Sequence, residues 1–225
     1  MTTDERADPR MVAAQLRKPS GEAAEGIGDK MDQVNEPLFD LTRSAMQPGP
    51  HERILEIGFG TGTYIPRLFA MVEELEVHGI DYSPEMVAQA SRCNSTLIEA
   101  GRLKLLTGKS DQTPFPEAYF DKVFCNMVVY FWDRPEPHLA EIHRVLKPCG
   151  QFFIGMRTKD SMLEFPFAAH GFVLHEPEEW SAILEQNGFT CREAGRQLDP
   201  AIEIDNGTTQ MESVCLAAGK REYSG

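Results

Sequence analysis

Ile54-Leu-Glu-Ile-Gly-Phe-Gly-Thr-Gly62 is the stretch from which the rest of the chain is read. Residues 53–57 form a short, mostly apolar run of strand length, closed by Gly58. Glycines at 58, 60 and 62 let the backbone turn sharply and bring free N–H groups close to a ligand. A helix predicted over 64–74 sets its N-terminus just beyond them. A second apolar strand, 76–80, ends at Asp81, nineteen residues past Gly62, where a carboxylate can bind both hydroxyls of a ribose. A glycine loop between strand and helix, with an acid at that distance, points to an adenosine-containing cofactor.

The spacing narrows the choice of cofactor. A dinucleotide fingerprint needs a third glycine at position 63, and that residue is Thr63. Glu56 stands two residues before the first glycine. A carboxylate there repels a pyrophosphate and suits an ammonium and a sulfonium, so the chemistry favours S-adenosylmethionine over NAD.

Outward from this centre, strands and helices alternate. Strands are predicted at 103–106, 122–125, 151–154 and 212–217, and helices at 85–93, 137–146 and 178–186, with Ser83 as N-cap and Pro84 at the first helical position. This alternation implies an α/β fold with a parallel sheet between two helical layers, and ligands then bind at the C-terminal strand ends. Upstream, residues 35–46 carry Leu38, Leu41 and Ala45 at helical spacing. Residues 1–36 are rich in Glu, Asp, Ala and Gly and show little apolar periodicity, so they are expected to form a mobile segment closing as a lid, with one domain over 37–225.

Composition sets outer limits. The 225 residues carry 35 acidic against 22 basic side chains, a net charge of −13, which disfavours nucleic acid and anionic membrane surfaces as partners. The five cysteines, 93, 125, 149, 191 and 215, show no CxxC pair and no metal-ligand spacing, so no metal is expected. Met1-Thr-Thr-Asp-Glu-Arg6 has no apolar signal-peptide core, and the longest apolar run, 127–132, is too short to span a bilayer. A cytoplasmic chain without membrane insertion, monomeric or homodimeric, is the expectation.

Four ordered motifs carry a family resemblance: Glu56-Ile-Gly-Phe-Gly-Thr-Gly62, Asp81-Tyr-Ser-Pro-Glu-Met86, Thr113-Pro-Phe-Pro-Glu-Ala-Tyr-Phe-Asp121 and Glu141-Ile-His-Arg-Val-Leu-Lys-Pro-Cys-Gly150. In this order they resemble the motifs of class I S-adenosylmethionine-dependent methyltransferases, closest to the type 11, ubiquinone-biosynthesis-like branch. The resemblance runs from about residue 53 to about 155. It implies a Rossmann-like three-layer sandwich with a seven-stranded, mostly parallel sheet whose last strand is antiparallel. It also implies that Gly58, Gly60, Thr61 and Gly62 surround the methionine part of S-adenosylmethionine, with Glu56 near its amino group. Asp81 would hold the ribose, while Tyr82 and Met86 would pack on the adenine. Two departures stand out. The usual Gly-Asp-Ala before Pro-Phe-Pro reads Gly108-Lys-Ser-Asp111, which leaves Ser110 and Asp111 as candidates for the adenine-binding acid's place. Leu-Lys-Pro-Gly-Gly reads Leu146-Lys-Pro-Cys-Gly150.

The implied reaction is methyl transfer to a small-molecule acceptor at O, N or S, leaving S-adenosylhomocysteine. In such a transfer, alignment of acceptor and methyl supplies most of the gain. Asn126 at the fourth strand's end is a further candidate cofactor contact. Tyr130, Trp132 and Arg157 are candidate acceptor contacts, and Tyr130, His170 and His175 are the candidate bases. The alternatives from other classes are an NAD-dependent oxidoreductase and a non-catalytic module that only binds the cofactor.

Overall fold

A computed structural model describes residues 8–21, 23–204 and 207–221. Residues 1–7 and 22 of the expected lid, and 205–206 and 222–225 of the expected domain, lie outside them.

In chain order the helices are α1 Pro9–Arg17, α2 Ala23–Met46, α3 Ile65–Met71, α4 Pro84–Cys93, α5 Ser95–Glu99, α6 Pro135–Val145, α7 Lys159–Leu163 and α8 Pro177–Gln186. The strands are β1 Arg53–Ile57, β2 Glu76–Asp81, β3 Leu103–Thr107, β4 Phe120–Asn126, β5 Leu146–Arg157, β6 Phe189–Leu198, β7 Ile202–Ile204, β8 Gly207–Thr209 and β9 Glu212–Lys220. Seven strands form one sheet in the order β3-β2-β1-β4-β5-β9-β6, and β7 pairs with β8 apart from it. Strands β3, β2, β1, β4 and β5 run parallel, while β9 lies antiparallel between β5 and β6. The sheet is therefore mostly parallel with its last strand reversed, as the resemblance implies.

Side-chain alternation along each strand sorts the core into two layers. Leu55, Ile57, Val123, Phe152, Ile154 and Leu216 face Leu139, Ile142, Trp180 and Leu184 of α6 and α8. Ile54, Val77, Phe124, Phe153 and Ala217 face Phe39 and Met46 of α2, Ile65 and Leu68 of α3 and Ala90 of α4. Glu56 and Asn126 share the phase of Ile54 and Phe124, so both side chains point to the α2 side of the sheet.

Besides α1, α5 and the β7–β8 pair, which the sequence reading does not include, three further differences bear on the site. The helix expected at 35–46 is the second half of α2, which runs unbroken through residue 36 with Pro37 inside it. Proline removes one helical donor and crowds the preceding turn. Two carbonyls near it also accept side-chain donors that pin this part of the helix: Arg157 Nη2 donates to Val34 O at 2.7 Å, and Gln197 Nε2 donates to Pro37 O at 3.1 Å. The second difference is β6, which apolar patterning misses. It is an edge strand carrying Arg192, Glu193 and Arg196, with a register shift between Glu193 and Gly195 that breaks the alternation. Third, the long connection after β5 holds α7 and a 3₁₀ turn at Pro166–Ala169.

The second half of α2 lies close on the sheet because two strand positions there lack a side chain. A Cβ on Gly155 would overlap Asn126 Oδ1 and Thr42 Oγ1, and one on Gly195 would come within 2.8 Å of Leu41 Cδ1. At the β5 turn, where the resemblance expects glycine, Cys149 adopts φ +65, the left-handed region that favours glycine. None of the five cysteines is in a disulfide among the described residues. No helix among the described residues is long and apolar enough to cross a membrane.

Candidate cofactor and acceptor site

The parallel strands deliver their C-terminal ends to one edge, and a cavity of about 610 Å³ opens there beneath α1 and α2. Glu56, Gly58, Gly60, Thr61, Asp81, Tyr82, Met86, Ser110, Asp111, Asn126 and Trp132 all line it. Eleven of the residues singled out in the sequence thus converge on one space.

The glycine loop is built around Asp81. Its Oδ2 accepts the Gly60 N–H at 2.9 Å and its Oδ1 accepts the Ser83 N–H at 2.8 Å. Gly58, Gly60 and Gly62 have φ of +71, +56 and +72, a conformation costly for any residue with a Cβ. Gly62 does not line the cavity. A Cβ there would stand 2.7 Å from Ala90 Cβ, so this glycine seats α4 beneath the loop. Ser83 caps α4 by accepting the Met86 N–H at 3.3 Å, which fixes Met86 in the cavity wall.

Acid without partners marks the site. Glu56 is buried, and its Oε2 has no hydrogen-bond partner among the described residues. Burial first, then the negative charges of Asp81 and Asp32, lift its pKa to about 8. Burial also raises Asp81, against the backbone donors that favour its ionised form. A buried, orphaned carboxylate is a costly arrangement that a cationic ligand group would complete.

The N-terminal helices form the roof. Thr61 Oγ1 donates to Asp32 Oδ2 at 2.6 Å, and the Tyr64 hydroxyl donates to the Asp32 carbonyl. A Cβ on Gly28 would meet Thr61 Cγ2 at 2.6 Å, so α2 passes directly over the loop. Arg17 at the end of α1 donates to the Phe131 carbonyl at 3.1 Å and pairs with Asp133. Lys18 Nζ lies 4.4 Å from the centre of the Tyr82 ring, and Ser83 Oγ donates to the Pro19 carbonyl at 2.6 Å.

At the opposite end, Ser110 and Asp111 sit beside a residue that sequence reading missed. His138, in the first turn of α6, shares a hydrogen bond of 2.8 Å between its Nδ1 and Ser110 Oγ, and stacks on Trp132 with ring centres 4.7 Å apart. Burial lowers its pKa, so the ring is held toward its neutral form. Asp32, Asn35 and Phe39 of α2 were missed as well. Their signal was present: Met31 and Val34 extend the Leu38–Leu41–Ala45 stripe backward at helical spacing.

The other candidates lie elsewhere. The Tyr130 hydroxyl is fully buried, donating to the Arg157 carbonyl at 2.9 Å and accepting the Arg157 N–H at 2.6 Å. Burial raises its pKa, and it does not line the cavity. Arg157 lies behind α2, paired with Asp199 at 3.2 Å. His175 stands 3.7 Å from Glu179 with its ring edge-on to Trp180, and His170 follows the 3₁₀ turn; neither lines the cavity.

Comparison with known proteins places this geometry in context. Residues 55–154 match the family model described as a methyltransferase domain. The chain is 28% identical over 169 residues to the uncharacterized methyltransferase YdaC of Bacillus subtilis, covering 75% of this chain and 83% of that one. It is 29% identical over 139 residues to a malonyl-[acyl-carrier protein] O-methyltransferase of Hahella chejuensis, covering 62% of this chain and 47% of that protein's length. In fold it matches a chain from a Haloferax volcanii complex that contains the Trm112 methyltransferase activator, with a TM-score of 0.76 at 18% identity, over 96% of this chain and all of the other.

Proposed function

The chain belongs to the class I S-adenosylmethionine-dependent methyltransferases, in their type 11 branch, and on that premise we propose that it methylates a small-molecule acceptor using a cofactor held in the cavity below α2. The observation that carries the cofactor's placement is Glu56, whose buried and unpartnered Oε2 suits an α-ammonium group. Asp81 supports the same reading. Its oxygens accept the Gly60 and Ser83 N–H groups, and the carboxylate retains acceptor capacity that suits ribose hydroxyls. Tyr82 and Met86 offer an aromatic and a thioether surface for the adenine, with Ser110 and Asp111 at its polar edge.

When bound, S-adenosylmethionine supplies a methyl group on a positive sulfur, so the transfer is an in-line displacement by an acceptor O, N or S. The chain's part is to position and to exclude water. Gly58 and Gly60 allow close backbone approach, and Phe39, Met127 and Phe131 supply apolar wall. The described part of the expected lid, residues 8–21 and 23–36, covers this space, with Asp32 and Arg17 as contacts between lid and body. Protease cuts within 12–36 are accordingly expected to slow at least severalfold when S-adenosylhomocysteine is present; unchanged cleavage would count against the lid.

The reading is tested by calorimetry and a methyl-transfer screen. Saturable binding of S-adenosylhomocysteine, with none of NADH, is expected, followed by radiolabelled methyl transfer to a phenol, thiol, amine or carboxylate. Binding of NADH in its place would sink the proposal.

A further inference from the structure

Two side-chain amides line the α2 side of the cavity, and each has its oxygen tied off from behind. Asn35 Oδ1 accepts from Arg157 Nη1 at 3.1 Å, and Asn126 Oδ1 accepts the Thr42 hydroxyl at 2.7 Å. Arg157 and Thr42 do not line the cavity, whereas both asparagines do. An amide whose oxygen is committed to a donor presents its NH₂ on the other side. Asn126 Nδ2 is buried with no partner among the described residues, a state that persists where another group completes it.

The supports behind these amides are rigid. The Arg157 side chain is 3% exposed and the Asp199 side chain 1%. Asp199 is itself held by Ser213 Oγ at 2.7 Å and Gln197 Nε2 at 3.1 Å. Arg157 also donates to the Val34 carbonyl, next to Asn35 on the same helix. Thr42 lies two helical turns beyond Asn35, so one stripe of α2 serves both amides. Glu56 shares the Asn126 face of the sheet and provides acceptor chemistry where the amides provide donors.

We propose that Asn35 and Asn126 form a donor pair that receives a carboxylate or carbonyl oxygen of the molecule bound in this cavity, with Arg157 and Thr42 as the positioning residues. The proposal rests on the cofactor reading above. The oxygen belongs either to the amino-acid end of the cofactor or to the methyl acceptor, and the chemistry of the amides is the same for both.

The test uses the full chain with Asn35→Asp and Asn126→Asp, which preserve shape and the bond to Arg157 or Thr42 but replace the NH₂ donor by an oxygen. S-adenosylhomocysteine and 5′-methylthioadenosine, which lacks the amino-acid end, are titrated by calorimetry at pH 8. If the cofactor supplies the oxygen, both variants lose at least tenfold for S-adenosylhomocysteine and less than twofold for methylthioadenosine. If the acceptor supplies it, both ligands bind as in the parent and radiolabelled transfer to a carboxylate and phenol panel falls at least tenfold. Arg157→Lys keeps the charge facing Asp199 but loses the forked reach, and is expected to show the same ligand split as Asn35→Asp. Changes below twofold in all three measurements, or equal losses for both ligands, would overturn the donor pair. Failure of the parent to bind S-adenosylhomocysteine would overturn the underlying cofactor reading instead.

Discussion

Glu56→Gln is expected to weaken S-adenosylhomocysteine binding by roughly 100- to 1,000-fold at pH 8, because one partner of a buried charge pair is removed while the ligand's ammonium stays buried. The pH dependence should vanish with it. In the free parent, burial and the nearby Asp81 and Asp32 hold the carboxyl near a pKa of about 8. Below that pH the ligand must first displace a proton, so the parent's affinity should climb by about tenfold per pH unit and level off above roughly pH 8. The variant has nothing to ionise and should give a flat profile over the same range. Stability of the ligand-free protein should change in the opposite sense. A carboxyl whose folded pKa exceeds its ordinary 4.5 contributes fully below about 4.5 and loses that contribution as pH rises through about 8. At pH 9 the variant should therefore melt above the parent. Thermal unfolding at pH 5 and pH 9, with calorimetry across pH 6–9, reads all three effects; a parallel pH profile in the two proteins would refute the assignment.

Asp81→Asn is expected to cost about 100-fold in affinity for both S-adenosylhomocysteine and methylthioadenosine, taking about 1.5 kcal/mol for each of two hydroxyl bonds to a charged acceptor. The shared loss separates this site from Glu56, whose effect should fall on the ligand with the amino-acid end alone. The substitution also reaches the apo protein. A backbone donor now held by the carboxylate, from Gly60 or from Ser83, would face an NH₂ group instead. An unsatisfied buried donor costs about 1–3 kcal/mol, so a lowered melting temperature should accompany the weaker binding. Calorimetry with both ligands and a melt of the free protein check the pair of outcomes; retained affinity for methylthioadenosine would remove Asp81 from the ribose.

How much of this was legible in the sequence depends on what places each group. Glu56, the loop glycines and Asp81 sit where strands end, and the strands are apolar runs closed by glycine or acid, so local pattern alone locates them. The five parallel strands and β9 were readable for the same reason, as was α4 from Ser83-Pro84. The edge strand β6 was not, because its exposed face is charged and its bulge resets the period. Asp32 and Asn35 were hidden differently. They lie in a Glu- and Gly-rich segment ahead of Pro37, whose helical state depends on what α2 packs against. His138 reaches the cavity only because Ser110 and Trp132, 28 and six residues away along the chain, meet it there. Arg157 was correctly placed at the end of β5, but its side chain turns to Asp199 and the back of α2, a direction that strand pattern does not encode.

Pro37 gives α2 an uneven melting behaviour. A helix unwinding from its N-terminus normally gives up one backbone hydrogen bond per residue. At position 37 there is no N–H to lose, and proline is well suited to the first position of a shorter helix. The turns that begin at Leu38 carry Leu38 and Phe39 into the core and fit over Gly155 and Gly195. Fraying that travels through 23–36 therefore meets a stop, and what is left is already a properly started helix. Opening of residues 23–36 is expected to cost the Arg157 bonds to Val34 and Asn35 and to leave the half seated on the sheet in place.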